Sequence, residues 1–204
     1  MQARWINVMG QLGLGIHMCP LALSVETQLG KQRAVFEVPL PSQPPVYMSW
    51  MIGADPEPGR AAVVVDAAKF LGLWQAEPYP IHQDLAFGNP VTWKADRKFG
   101  WAERGFSEGR ANPVPLAYVS FGIDEQFEIS YRFLWFGKQI RRIFAAHVRF
   151  TNGITRTIWL LSNGCSAFPI ESDLAGAHKI LEHAGAPGSC VLTRSTLLAY
   201  APET

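Results

Sequence analysis

The spacing of apolar residues along the chain predicts a protein built from both strands and helices. Short apolar runs at residues 34–38, 46–52 and 61–65 are separated by prolines, which is typical of a small β layer. A strand is predicted at 113–121, and strict alternation predicts a second strand at 127–135. A two-residue turn at Gly137 and Lys138 would then lead into a further alternating strand that ends at Phe150.

Helical spacing appears in shorter stretches between these strands. Asp66 stands where it can cap a helix over residues 67–74, and a later helix is predicted behind a cap at Ser172 or Asp173. Between the strands and helices, residues 75–112 are rich in aromatic side chains but follow no regular spacing. Long irregular segments of this kind in compact domains are often functional.

One turn is predicted to lead directly into a helix. Asn152 and Gly153 tolerate the positive φ of a tight turn, and Ile154, Ile158 and Leu161 follow at helical spacing. The first backbone N–H groups of such a helix have no intrahelical partner, and its dipole is positive at this end. The sequence therefore predicts a site for phosphate or another anion at the start of this helix.

Arg156 lies in the first turn of this predicted helix and is the main candidate for contacting a phosphate. Its guanidinium can donate two hydrogen bonds to phosphate oxygens and offset the charge that develops in phosphoryl transfer. The alternative is an ion pair with a neighbouring carboxylate. Thr155 can donate a hydroxyl to phosphate, whereas Asn152 and Gly153 are expected to shape the turn. Arg156 is expected to be exposed and to contribute little to packing.

The net charge of this 204-residue chain is +1, which gives no general electrostatic argument for nucleic acid binding. The charges are unevenly placed, because no Asp or Glu occurs between Ile129 and Ile170. The cationic residues of this stretch are Arg132, Lys138, Arg141, Arg142, Arg149 and Arg156. The first five are candidates for binding a DNA backbone; the alternative is a basic surface that faces only water.

Hydrolysis at a bound phosphate group requires carboxylates that bind a divalent metal or activate water, and the acidic residues nearest upstream are Asp124, Glu125 and Glu128. Strand alternation places Glu128 on the face opposite the apolar side chains, which makes it the best candidate of the three. The alternative for Glu128 is a salt bridge to Arg132 or Arg142 across the hairpin. Asp124 and Glu125 are expected in a solvated turn, and Glu171 is a weaker candidate acid.

The chain has three cysteines, Cys19, Cys165 and Cys190, which are widely spaced. An odd number without close spacing argues against a secreted disulfide framework and against a structural zinc site. A reducing cytoplasm fits this pattern best.

Two stretches of sequence resemble a known family. They are Asn-Pro-Val-Pro-Leu-Ala at 112–117 and Phe-Thr-Asn-Gly-Ile-Thr-Arg-Thr-Ile-Trp-Leu-Leu at 150–161. Both resemble sequences of the plasmid fertility inhibition factors. The Gly-x-x-Arg turn at 153–156 and the order of elements resemble the ParB/sulfiredoxin fold. The resemblance implies an α+β protein with a mixed sheet, flanking helices and an N-terminal β extension.

The same resemblance implies a domain division. Residues 1–32 are expected to form an N-terminal arm, and residues 33–204 a single ParB/sulfiredoxin-like domain whose motif core spans 112–171. Ile154 and Thr155 stand where sulfiredoxins carry their reactive Cys and His, so the resemblance does not extend to sulfinic acid reduction.

The function that the resemblance implies is a plasmid-encoded inhibitor, in the bacterial cytoplasm, of conjugative or type IV secretion DNA transfer. In one version it is an ATPase and DNase that hydrolyses the DNA of a rival mobile element, with ATP binding and hydrolysis as a switch. Arg156 and Glu128 would then act with a divalent metal such as Mg2+, whose ligands the sequence does not assign. In the alternative version it is a non-catalytic inhibitor that binds the coupling ATPase or the relaxase–DNA complex.

Because Ile154 occupies the position of the reactive cysteine, we expect Cys165→Ser to leave activity essentially unchanged. The measurement is inhibition of plasmid transfer by the variant and the parent chain at equal protein level. Lost inhibition in a variant with an unchanged circular dichroism spectrum would instead indicate a thiol mechanism.

Overall fold

The computed structural model describes residues 19–28, 31–52, 59–79, 81–131 and 138–199, with side chains described outside residue 28 and residues 126–139. The strands are β1 (Ala22–Gln28), β2 (Lys31–Leu40), β3 (Gln43–Ile52), β4 (Arg60–Asp66), β5 (Val114–Pro115), β6 (Ala117–Tyr131), β7 (Lys138–Asn152), β8 (Ala167–Asp173) and β9 (Val191–Thr193). The helices are α1 (Ala67–Gln75), α2 (Gln83–Ala86), α3 (Pro90–Lys94), α4 (Phe99–Ser107), α5 (Ile154–Ser162), α6 (Leu174–Ala184) and α7 (Arg194–Ala199).

The strands form two sheets, and the protein is of the predicted α+β class. The first sheet has the order β1-β2-β3-β5, with β5 parallel to β3 and the other neighbours antiparallel. β1 lies within the segment predicted as an N-terminal arm, but it pairs with β2 along its length. β2 buries Ala34, Val35, Phe36 and Val38, and β1 covers its edge by pairing with it.

The second sheet has the order β7-β6-β8-β4-β9 and is mixed. β6 runs parallel to β8 but pairs with it only at Ala117 and Tyr118, whereas it pairs with β7 over a long antiparallel hairpin. β4 is buried along almost its whole length and lies between β8 and β9. A central strand covered on both faces reads as a continuous apolar run, which is the pattern at residues 61–65.

Helices α1 and α6 begin at the predicted kind of cap. The side chain of Asp66 accepts a hydrogen bond from the Lys69 N–H at 3.0 Å, and that of Asp173 accepts one from the Gly176 N–H at 2.8 Å. α1 packs on the second sheet, where the ring of Phe70 meets the rings of Phe150 and Phe168. The irregular segment 75–112 contains the short helices α2, α3 and α4.

The structure corrects the predicted hairpin. The two strands predicted at 113–121 and 127–135 are largely one strand, β6, so Asp124 and Glu125 lie in a strand and not in a turn. Lys138 pairs with Tyr131, which rules out a two-residue turn at Gly137 and Lys138; residues 132–137 lie outside the described part. The sequence did not show this continuity, because positions 122–126 carry Gly, Ile, Asp, Glu and Gln and interrupt the apolar alternation seen on either side.

The N-terminal end of α5 lies very close to β6. Gly153, which follows β7, has a φ of 93°, and a Cβ atom placed there would lie 2.6 Å from the Cβ of Ala117. Only glycine accepts both the left-handed backbone and this distance. Across the described residues, no helix combines the length and the apolar character that a membrane span requires.

We expect Gly153→Ala to lower the free energy of unfolding by about 2 to 4 kcal/mol, since it adds left-handed strain to a steric overlap. Urea denaturation measures the change. The matched control is Gly72→Ala in α1, where an added Cβ meets nothing within 4 Å. That substitution should raise stability by roughly 0.5 to 1 kcal/mol through helix propensity. Equal effects of the two substitutions would contradict the argument.

Candidate functional site

The predicted turn and helix form as expected, with one difference in detail. Asn152 is the last residue of β7 and pairs with Tyr118, so Gly153 alone makes the left-handed turn. The side-chain oxygen of Asn152 accepts a hydrogen bond from the backbone N–H of Tyr118 at 3.2 Å. Asn152 therefore helps to shape the turn, because its side-chain oxygen already accepts a hydrogen bond from the neighbouring strand.

The start of α5 has the features of an anion site. Gly153 is the N-cap residue, and no side-chain hydrogen bond caps the helix within the described part of the chain. The backbone N–H and the hydroxyl of Thr157 both donate to the Gly153 carbonyl, each at 3.1 Å. The N–H groups of Ile154, Thr155 and Arg156 precede this first intrahelical bond and therefore have no acceptor inside the helix.

Arg156 is held by backbone carbonyls. Its Nη1 donates to the carbonyl oxygens of Pro115 at 2.5 Å and of Leu116 at 2.8 Å. Arg156 is therefore partly buried, and the expectation of an exposed side chain with little packing role is wrong. Burial lowers its pKa from the usual value, but an arginine keeps its proton at neutral pH.

The geometry does not bring Glu128 and Arg156 together. Glu128 pairs with Arg141 in the hairpin register, and its side chain lies outside the described set. Tyr118 lies beside the turn, and Glu128 is ten positions further along β6. At about 3.3 Å per residue this separation is roughly 33 Å, too far for two groups to act on one phosphate.

A different acid lies beside the turn. Glu171 is the register partner of Tyr118, and its Oε1 accepts hydrogen bonds from Trp50 Nε1 and Arg60 Nη1, each at 3.0 Å. The Arg60 guanidinium also lies 4.4 Å from the centre of the Tyr118 ring. Trp50, Arg60 and Tyr118 gave no signal in the sequence, because they come from three different strands in two sheets, and only the tertiary structure brings them together.

The basic stretch of sequence is not an acid-free surface. Arg149 forms an ion pair of 2.7 Å with Glu77, whose carboxylate is buried, and Arg142 is paired with Glu125. Arg141 is exposed, opposite Glu128 in the register. The pairing of β6 with β7 thus brings Glu125 to Arg142, and Glu77 reaches Arg149 from the segment after α1. Arg132 and the side chain of Lys138 lie outside the described part.

The described residues contain no group of three or more His, Cys, Asp or Glu side chains that could hold a metal ion. The buried thiol of Cys165 donates a hydrogen bond to the Ala167 carbonyl at 3.1 Å, and burial raises its pKa to about 11. A thiol with a raised pKa is a poor nucleophile at neutral pH.

Comparison with known proteins identifies the family of this chain. The sequence model of the plasmid fertility inhibition factors matches residues 62–185, more than half of the chain and the whole of the α5 turn. The chain belongs to the plasmid fertility inhibition factor family. Protein osa of Shigella flexneri is 29% identical over 173 residues, which cover 81% of this chain and 76% of that protein.

A solved structure shares the fold. The crystal structure of the Oncogenic Suppression Activity Protein, a plasmid fertility inhibition factor studied as a gold(I) cyanide derivative, matches with a TM-score of 0.60 and 24% sequence identity. The match covers 92% of this chain and 85% of that one. The α+β fold with two mixed sheets is therefore shared with that inhibition factor, and the ParB/sulfiredoxin assignment stays a prediction.

We expect Arg156→Ala to lower the free energy of unfolding by roughly 2 to 4 kcal/mol, because two carbonyls lose a charged donor. Arg141→Ala is the matched control: Arg141 is exposed, and its loss should change stability by no more than about 0.5 kcal/mol. Thermal and urea unfolding of both variants measure the difference. A wild-type stability for Arg156→Ala would mean that the two carbonyl bonds contribute nothing.

Proposed function

We propose that this fertility inhibition factor blocks plasmid DNA transfer by binding phosphate groups, of DNA or of a nucleotide such as ATP, at the start of α5. One observation carries the proposal: an uncapped helix N-terminus follows a left-handed glycine, with its N–H groups and a neighbouring arginine on the same turn. This combination of free donors and positive helix dipole is what phosphate sites use.

The turn is held by contacts within the protein that need no ligand. Gly153 contacts Ala117, Asn152 accepts from the Tyr118 N–H, and Arg156 donates to two carbonyls of the same stretch. A site that is already organised loses little entropy on binding, and its dipoles need no reorientation around the phosphate. Arg156 would then act partly by holding the helix start in place and partly through its charge.

The partners proposed for this site are the DNA of a rival mobile element, the relaxase–DNA complex and the coupling ATPase of type IV secretion, in the bacterial cytoplasm. A purely blocking role is favoured by the state of the nearby acid. Oε1 of Glu171 already accepts hydrogen bonds from Trp50 and Arg60. A carboxylate oxygen that is held by two donors is less available to bind and activate a water molecule.

The second candidate is an ATPase and DNase, in which the bound phosphate is hydrolysed and ATP acts as a switch. It is favoured by the position of Glu171, whose strand neighbour Tyr118 adjoins the turn. In this version Glu171 takes the part first predicted for Glu128. The described acids do not form a three-ligand metal site, so this version proposes a requirement for Mg2+ without assigning protein ligands to it.

Thr155→Glu tests the phosphate site with little risk to the fold. An acid in the first turn of a helix interacts favourably with the dipole, so stability should change by less than about 1 kcal/mol. The same carboxylate repels a phosphate, so affinity for ATP and for linear DNA should fall on the order of tenfold or more. Fluorescence anisotropy measures both affinities, and a conjugation assay measures inhibition.

Thr27→Glu on β1 is the matched control, since Thr27 is an exposed threonine of the other sheet. It should bind both ligands as the wild type does. If Thr155→Glu binds normally, the α5 turn is not the phosphate site. Incubation of the wild type with ATP, linear DNA and Mg2+ separates the two candidates. Release of phosphate or shortening of the DNA, if Glu171→Gln abolishes it, supports the hydrolytic candidate.

A further inference from the structure

One serine of the first sheet holds the chain where it crosses to the second sheet. Ser49 lies in β3 and is buried. Its hydroxyl donates a hydrogen bond to the Pro113 carbonyl at 3.3 Å, and its backbone carbonyl accepts one from the Leu116 N–H at 3.0 Å. Ser49 thus contacts both ends of residues 113–116, which we call the crossing segment.

The crossing segment carries the two carbonyls that hold Arg156. Nη1 of Arg156 donates to the carbonyls of Pro115 and Leu116. The Pro115 carbonyl and the Leu116 N–H belong to one planar peptide group, in which they point in opposite directions. The bond from the Leu116 N–H to Ser49 therefore also sets the direction in which the Pro115 carbonyl meets the guanidinium.

The crossing segment has few backbone donors of its own. Pro113 and Pro115 have no N–H group, so only Val114 and Leu116 can donate from the backbone. β5 is two residues long and pairs with β3 at Met48 and Ser49. The Ser49 hydroxyl therefore adds an anchor at Pro113, one residue before this short pairing begins.

The next residue of β3 reaches the other side of the α5 turn. Nε1 of Trp50 donates to Glu171, which is the register partner of Tyr118, and the Tyr118 N–H donates to Asn152. Side chains of successive strand residues point to opposite faces, so Ser49 and Trp50 extend in different directions. Between them, these two residues of β3 connect the first sheet to both sets of contacts that hold the turn.

We propose that Ser49 is a positioning residue of the phosphate site: it fixes the crossing segment, and through it the guanidinium of Arg156 and the start of α5. This inference rests on the proposed function, because it takes the start of α5 as the place where phosphate binds. Ser49 acts without touching the ligand, since its hydroxyl is buried against Pro113. Small displacements of groups that bind a ligand lower affinity, even when the altered residue is remote.

Ser49→Ala tests the proposal, because it removes the hydroxyl without changing the charge near the site. The dissociation constants of the full chain for labelled ATP and labelled linear DNA should rise about fivefold, as measured by fluorescence anisotropy. Ser189→Ala is the matched control. Ser189 also forms one hydrogen bond between its hydroxyl and the backbone, at 3.2 Å from the Val64 N–H in the second sheet. This control should bind both ligands as the wild type does.

A double-mutant cycle tests whether Ser49 acts through Arg156. Arg156→Lys keeps the positive charge but loses the planar guanidinium that donates to two carbonyls. In the Arg156→Lys background, Ser49→Ala should raise the dissociation constant by less than about twofold, since the two residues act as a unit. A merely structural role of Ser49 would give the same loss of affinity in both backgrounds.

Amide exchange tests the positioning without any ligand. The Thr157 N–H donates to the Gly153 carbonyl in the first turn of α5. Its exchange, measured by NMR, should be about fivefold faster in Ser49→Ala than in Ser189→Ala, because the helix start is held less firmly. Equal exchange rates in the two variants would overturn the proposal.

The binding data overturn the proposal in three further cases: Ser49→Ala binds as the wild type does, Ser189→Ala loses as much affinity, or the full loss persists in the Arg156→Lys background. Thr155→Glu separates this inference from the proposed function. If Thr155→Glu binds normally, both fail, because phosphate does not bind at the α5 turn. If Thr155→Glu loses affinity and Ser49→Ala does not, the phosphate site stands and only the role of Ser49 is wrong.

Discussion

The passage of the chain from one sheet to the other is the constraint on which the candidate site depends. β5 pairs with β3 in the first sheet, and two residues later β6 pairs with β8 in the second. Between them lie the carbonyls of Pro115, which is exposed, and of Leu116, which is buried and whose carbonyl would be costly to leave without a donor. Arg156 supplies a donor to both, and it does so from the first turn of α5.

The other features of the turn follow from this crossing. Because Arg156 is fixed to residues 115 and 116, the start of α5 lies against Ala117, and no side chain fits at position 153. Asn152 completes the contact by accepting from Tyr118. The Gly-x-x-Arg motif is therefore explained first by folding. The proposed anion site depends on the same arrangement, because the start of the helix that is held against the strand carries no described side-chain cap.

The charged residues show how strand pairing changes a linear pattern. A stretch of about forty residues without acids suggests a positive surface, but the antiparallel register places Glu125 against the cations of β7, and Glu77 reaches Arg149 from beyond α1. The same pairing extends an apolar face past the helices that cover its base. The hairpin thus presents exposed apolar side chains, among them Ile123, Ile140 and Phe144, together with charges of both signs.

The family, the α+β class, and helices α1, α5 and α6 were predictable from the sequence, because they depend on local motifs and short-range spacing. Helices α2, α3 and α4 were not predicted, since residues 75–112 follow no regular spacing. Asp66 and Asp173 act as caps within a few residues of their helices, and the Asn-Gly turn leads into α5 as its local chemistry indicates. Contacts between distant residues were decided only by the tertiary structure. Sequence spacing cannot show that Glu128 is remote from Arg156, that Glu171 lies beside Tyr118, or that Arg156 meets carbonyls forty residues away. Each of these depends on strand order and register, which long-range packing selects.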